Sequence, residues 1–206
     1  MSKVILTGFK PFGSYQFNPT EDLAQAFNGK KIGDHEIIGI VLECTYDAFE
    51  KTLKGVIETH YPAAIISTGL SSSVKGVRIE TVGKNIMRGK YPDAEGRNPE
   101  GEKLSLDGRQ FLEAQSDGVS LANVLYTHEI PTELSSDADG FVCNALLYRT
   151  IEYILTQHRA SMRNTFIHIP WTDDYKGRVN LEEGKIMTPK ADVHRAIELL
   201  IQHICD

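Results

Sequence analysis

Apolar runs rich in β-branched residues alternate with helix-patterned stretches through the first third of the chain, and that alternation restricts it to few folds. Residues 3–7, Lys-Val-Ile-Leu-Thr, form one such run; residues 36–42 form a second and residues 63–68 a third. Between the first two, Asn18 can cap a helix, Pro19 fits its first position and Glu21 stands where a capping box wants an acid. A helix is therefore predicted to about residue 28. Between the second and third runs, Tyr46, Phe49, Leu53, Val56 and Ile57 recur at helical spacing within residues 45–59. Strands and helices in this order predict a parallel sheet with helices on its faces.

The rest of the chain extends the pattern. Residues 77–86 read as a strand or strand pair, residues 121–129 as a short helix, 140–157 as a longer one and 164–170 as an alternating strand. Thr188-Pro189 opens a last helix with the stripe Val193, Ala196, Ile197, Leu200, Ile201 and Ile204. Residues 88–118 hold five glycines, two prolines and many charges, which predicts a long excursion within the domain. The expected fold is a single α/β/α sandwich over residues 1–206, with a twisted, mostly parallel sheet.

Charge and cysteine content narrow the function. A formal net charge of -6 and the lack of a basic patch disfavour nucleic acid as a partner. No segment approaches the roughly 20 apolar residues of a membrane span, and the N-terminus lacks the apolar region of a leader. A cytoplasmic protein with no membrane partner is expected. The three cysteines, Cys44, Cys143 and Cys205, are odd in number and form no Cys-x-x-Cys pair, so neither a disulfide framework nor a cysteine-based zinc site is expected.

Cys143 lies in Gly140-Phe141-Val142-Cys143-Asn144, at a predicted helix start. A thiol there feels the positive end of the helix dipole, which lowers its pKa, and the N–H groups of the same turn can receive an oxyanion. The same context also suits a buried small hydrophobe. Cys44 follows a strand in a weaker version of this setting, and Cys205 lies near the chain end; both read as structural. Among seven histidines, His168 stands apart, because Phe166-Ile167-His168-Ile169-Pro170 sets an imidazole on a strand among apolar neighbours. Glu80, in Val77-Arg78-Ile79-Glu80-Thr81, is an acid in a strand-like segment. It reads either as the group that orients His168 or as a solvent-facing residue paired with Arg78 or Lys84.

Four segments, in order and spanning nearly the whole chain, resemble pyroglutamyl peptidase I, also called pyrrolidone carboxyl peptidase. They are Thr7-Gly8-Phe9-Lys10-Pro11-Phe12-Gly13 with Asn18-Pro19, then Ile79-Glu80, then residues 135–144 ending Phe141-Val142-Cys143-Asn144, then Phe166-Ile167-His168-Ile169-Pro170. The resemblance implies a Cys143, His168 and Glu80 triad that removes N-terminal pyroglutamate from peptides through an acyl-enzyme, with no metal and no cofactor. It implies that Phe9 and Phe12 line the substrate pocket with Phe141 as a further wall, and that Asn18, Leu70, Lys90 and Val142 lie at the substrate site. It also implies a homo-oligomer, tetramer or dimer.

The chain departs from the family in its loops. The family's glycine-rich turn ending in arginine is here Gly69-Leu70-Ser71-Ser72-Ser73-Val74-Lys75-Gly76, and Lys90-Tyr91-Pro92-Asp93 stands where members often carry arginine before Ile-Pro-Asp. The Ala-Gly ahead of the cysteine segment has become Ala138-Asp139, with Gly140 one place later. Lysine keeps the charge of arginine but loses its planar fork. These departures motivate one rival, a divergent thiol hydrolase of another small lactam or amide. A binding protein that keeps the pocket without turnover is a second, and a nucleoside- or phosphate-binding enzyme of similar topology, with Gly69 to Gly76 as a poor phosphate loop, is a third.

Overall fold

A computed structural model describes residues 1–179 and 187–205. Among the described residues eleven strands are formed: β1 (Ser2–Phe9), β2 (Lys31–Ile32), β3 (His35–Leu42), β4 (Ala64–Leu70), β5 (Val77–Glu80), β6 (Val82–Lys84), β7 (Met87–Arg88), β8 (Glu100–Glu102), β9 (Phe111–Glu113), β10 (Thr132–Ser135) and β11 (Arg163–Ile169). The α-helices are α1 (Pro19–Phe27), α2 (Lys54–His60), α3 (Gly118–Thr127), α4 (Val142–Thr156) and α5 (Lys190–His203). A π-helical turn, Phe49–Leu53, leads into α2.

Seven strands make the central sheet in the order β10-β5-β11-β4-β1-β3-β2. Four of its six pairings are parallel; β5 against β11 and β2 against β3 are antiparallel. The expected mostly parallel α/β fold is therefore the fold observed. Alternation along each strand sorts side chains onto two faces. Val4, Leu6, Ile66, Ile79, Ile167 and Ile169 pack with the apolar sides of α1, α3 and α5. Ile5, Phe9, Leu42, Ile65 and Phe166 pack on the other face with α2 and α4. The whole predicted stripe of α5 is buried.

Helix starts follow their caps. Asn18 caps α1 through a bond from Thr20 N–H at 3.1 Å, with Pro19 next, as the sequence predicts. Glu21 does not close a box; it accepts instead from Gln25. The α3 helix begins at Gly118 rather than 121, because Asp117 accepts from the N–H groups of Val119 and Ser120. The helix predicted from residue 45 begins only at about 49. Residues 44–46 are held outside it: Ala94 N–H donates to the Cys44 carbonyl and Tyr46 N–H to the Asp93 carboxylate.

The excursion predicted over 88–118 carries short strands. β7 pairs with β8, and β9 pairs with β6. This material lies against α4, where Asn144 replaces missing ladder bonds. Its amide donates to the carbonyls of Lys84 and Ile86 and accepts from Lys84 N–H, all within 2.9 Å. No helix among the described residues is long and apolar enough to cross a membrane.

Candidate active site

The candidate site forms where β4, β5 and β11 meet the start of α4. In the β11–β5 pair, Phe166 stands opposite Glu80, so Glu80 shares a face with Phe166 and with His168 two residues on. In the β11–β4 pair, His168 stands opposite Gly69. All four residues therefore face α4. The acid–imidazole pair follows directly: His168 Nδ1 lies 2.8 Å from Glu80 Oε1. Glu80 is wholly buried and His168 is 8% exposed, so the solvent-facing alternative for Glu80 is excluded.

The antiparallel placement of β5 produces this neighbour relation. Residues 71–76 carry the chain from β4 past the end of β11 to β5, and β11 fills the gap between them. Glu80 Oε2 makes no hydrogen bond among the described residues, and the carboxylate meets His168 through its other oxygen.

Cys143 is the second residue of α4, after the N-cap Phe141, which offers no side-chain cap. The first bond of the helix runs from Ala145 N–H to the Phe141 carbonyl, leaving the N–H groups of residues 142–144 as the open donors of the first turn. Sγ of Cys143 packs over Gly69, the residue opposite His168. A β-carbon at Gly69 would lie 2.9 Å from that sulfur and 2.9 Å from the Phe166 ring. Glycine is thus required for the thiol to approach the sheet beside the imidazole.

The electrostatics correct one expectation. Burial pushes the Cys143 thiol well above its ordinary range, and the negative charge of Glu80 pushes the same way. Desolvation works against the thiolate here and outweighs the lowering pull of the Cys143 backbone N–H, although the residue as a whole is only half-buried. Its activation then depends on proton transfer to a base rather than on a preformed thiolate.

The pocket candidates occupy varied places. Phe12 and Phe141 are half-buried with ring centroids 5.8 Å apart, and Tyr46 meets Phe141 edge-on at 5.7 Å. Phe9 is buried at the end of β1 within the core on this face. Val142 is buried, and Leu70 is half-buried at the end of β4, opposite Ile169. Asn18 is buried and its polar atoms are engaged: it bonds Thr20 twice and donates to the Lys10 carbonyl, bracing the loop that carries Phe12. Lys90 is exposed in the turn after Gly89.

Three residues of the site escaped sequence reading. Asp93 is buried and accepts from the N–H groups of Tyr46, Glu95 and Arg97. Its Asp-x-x-Gly turn pattern marks such a role. Asn144 follows the cysteine and stands on a buried helix position, which is a legible signal. Nothing local marked Tyr46 as more than a core aromatic. Among the described residues no group of three or more His, Cys, Asp or Glu side chains is placed to hold a metal ion.

The chain is similar in sequence and fold to known proteins. A family profile described as pyroglutamyl peptidase matches residues 2–198. The pyrrolidone-carboxylate peptidase of Oceanobacillus iheyensis is 30% identical over 201 residues, 98% of this chain and 98% of the relative. That of Thermococcus litoralis is 30% identical over 174 residues, 84% of this chain and 79% of the relative. The solved pyrrolidone carboxyl peptidase of Thermococcus litoralis superposes with a TM-score of 0.91 at 29% identity, covering 98% of this chain and 92% of its own. The crystal structure of Bacillus amyloliquefaciens pyroglutamyl peptidase I gives a TM-score of 0.91 at 26% identity, covering 100% and 97%.

Proposed function

The chain belongs to the pyroglutamyl peptidase family, and on that premise we propose how its own residues cleave pyroglutamate from the N-terminus of a peptide. The protein is a cysteine-type omega-peptidase. His168 donates its Nδ1 proton to Glu80 and presents Nε2 as a base. It takes the thiol proton as Cys143 Sγ attacks the carbonyl carbon that joins the pyroglutamyl ring to the next residue. The oxyanion is received by N–H groups of the first turn of α4.

The Glu80 carboxylate stabilises the imidazolium that forms and keeps its ring oriented. The imidazolium gives its proton to the leaving amine, the C–N bond breaks and a thioester remains. Water, deprotonated by His168, then attacks the thioester, releasing pyroglutamate and restoring the thiol. The pyroglutamyl ring is small and flat, and the faces of Phe9, Phe12 and Phe141 suit its burial.

The observation that carries this reading is the buried 2.8 Å contact between Glu80 and His168, with the thiol seated over the neighbouring Gly69. A pyroglutamyl-linked fluorogenic amide should be hydrolysed, and Cys143→Ala or His168→Ala should abolish turnover. A wild-type protein inert to that amide, with Cys143 still labelled by thiol reagents, would refute the substrate assignment. The same reading extends to a homo-oligomer, dimer or tetramer, in the cytoplasm; light scattering and cell fractionation test those two points.

A further inference from the structure

The aromatic wall beside Cys143 contains a hydroxyl that none of the described residues satisfies. Tyr46 is 2% exposed, and its Oη has no hydrogen-bond partner among the described residues. A buried hydroxyl without a partner destabilises the fold, whereas phenylalanine would pack in the same space without that penalty. Packing therefore does not account for the oxygen.

The rest of Tyr46 is firmly placed. Its N–H donates to Asp93 Oδ2 at 3.1 Å, and the Arg97 guanidinium lies 5.7 Å from its ring centroid. The ring meets Phe141 edge-on, two residues before the thiol. Oη lies 2.9 Å from the point a β-carbon on Gly89 would occupy, and Phe141 Cδ2 lies 2.9 Å from that same point. The glycine thus leaves the hydroxyl and the edge of the pocket ring side by side. Burial and the Asp93 charge push the phenol up to about 12, so Oη keeps its proton and serves as a donor near neutral pH.

We propose that Tyr46 is a specificity-determining residue whose hydroxyl donates a hydrogen bond to the ring carbonyl of the pyroglutamyl group as that group enters beside Phe141. The inference rests on the proposed function, and it deepens it. A pyroglutamyl ring differs from a prolyl ring by this carbonyl. Apolar walls discriminate weakly between such rings, whereas a buried donor left unpaired by the wrong ring discriminates strongly.

Tyr46→Phe removes one oxygen and tests the proposal. For a pyroglutamyl amide, kcat/KM should fall roughly tenfold, as for loss of one neutral hydrogen bond, with the loss mainly in KM. The melting temperature of the free protein should hold or rise. Inhibition by 2-pyrrolidone should weaken by a similar factor, while inhibition by cyclopentanecarboxamide, which has no ring carbonyl, should not change. An unchanged kcat/KM, or equal weakening of both inhibitors, overturns the proposal. If the wild-type protein cleaves no pyroglutamyl amide, the functional reading fails on its own. The Tyr46 proposal is then decided by calorimetric binding of 2-pyrrolidone to the wild-type and Tyr46→Phe proteins, and equal or absent binding overturns it.

Discussion

Glu80, His168 and Gly69 stand on three adjoining strands, whereas Tyr46, Gly89 and Phe141 stand on segments outside the central sheet. The first group is positioned by register: pairing Phe166 with Glu80 and His168 with Gly69 leaves little freedom in where the side chains meet. The second group is positioned by side chains that bond backbone, chiefly Asp93 and Asn144. A ladder shares its load over many bonds, while a buried Asp or Asn concentrates it in one residue. Chemistry built on the sheet should thus fail when a reacting group changes. The pocket wall should fail when a single brace is removed.

The largest effect is expected on the sheet side. Glu80→Gln keeps the shape of the acid and removes its charge, so His168 loses the partner that stabilises its protonated form. A fall in kcat of about a thousandfold or more, with KM little changed, is expected in steady-state kinetics. A variant within tenfold of wild type would show that the acid merely fills space. Gly69→Ala comes next. The new methyl would press on Sγ of Cys143 and on Phe166, and a displacement of that kind lowers kcat roughly a hundredfold. Retained activity would mean that the thiol does not depend on close approach to the sheet.

The wall should respond differently. Asp93→Ala leaves three N–H groups without their acceptor, among them that of Tyr46. Stability should fall by about 1–3 kcal/mol or more in denaturant unfolding. The surviving enzyme should show a raised KM with a smaller change in kcat. A loss confined to kcat would blur the division between the two regions.

The effect that is smallest near neutral pH comes from the two thiols, both of raised pKa. Burial, with the charges of Asp93 and Glu43, pushes Cys44 from its ordinary value up to about 12. Cys143 is pushed upward as well. A thiol whose folded pKa is raised keeps its proton where the unfolded chain has lost it. Its contribution is therefore complete below about pH 9 and declines as pH rises towards 12. The slope is about 1.4 kcal/mol per pH unit for each such thiol. Stability measured from pH 8 to 11 should fall, and Cys44→Ala should make the decline shallower. An unchanged slope would show that Cys44 does not hold its proton in this way.

The sequence was most legible where a local rule had no competitor. The buried run of β1, the Asn18-Pro19 start of α1 and the α5 stripe all stand where their patterns indicate. It was least legible where a distant partner decided the outcome. The helical spacing of Tyr46 with Phe49 and Leu53 is real, yet Asp93, some 47 residues on, keeps Tyr46 out of the helix. Strands β2 and β10 are too short to show a period, and β8 and β9 form only because they find β7 and β6 across the excursion.

The residue types of the site could be picked out one by one: a thiol at a helix start, a histidine on an apolar strand and an acid in another strand. Their order along the chain, with the Phe9 and Phe12 loop, identified the family. The tertiary structure alone decided that Glu80 is buried against His168, because that contact needs β5 to run antiparallel beside a strand more than 80 residues later in the chain. It also decided the surroundings of the thiol. A helix start favours a thiolate, whereas the desolvation that half-buried Cys143 meets against the core opposes it. Local pattern fixes which groups are present; burial and strand register, both long-range, fix what those groups can do.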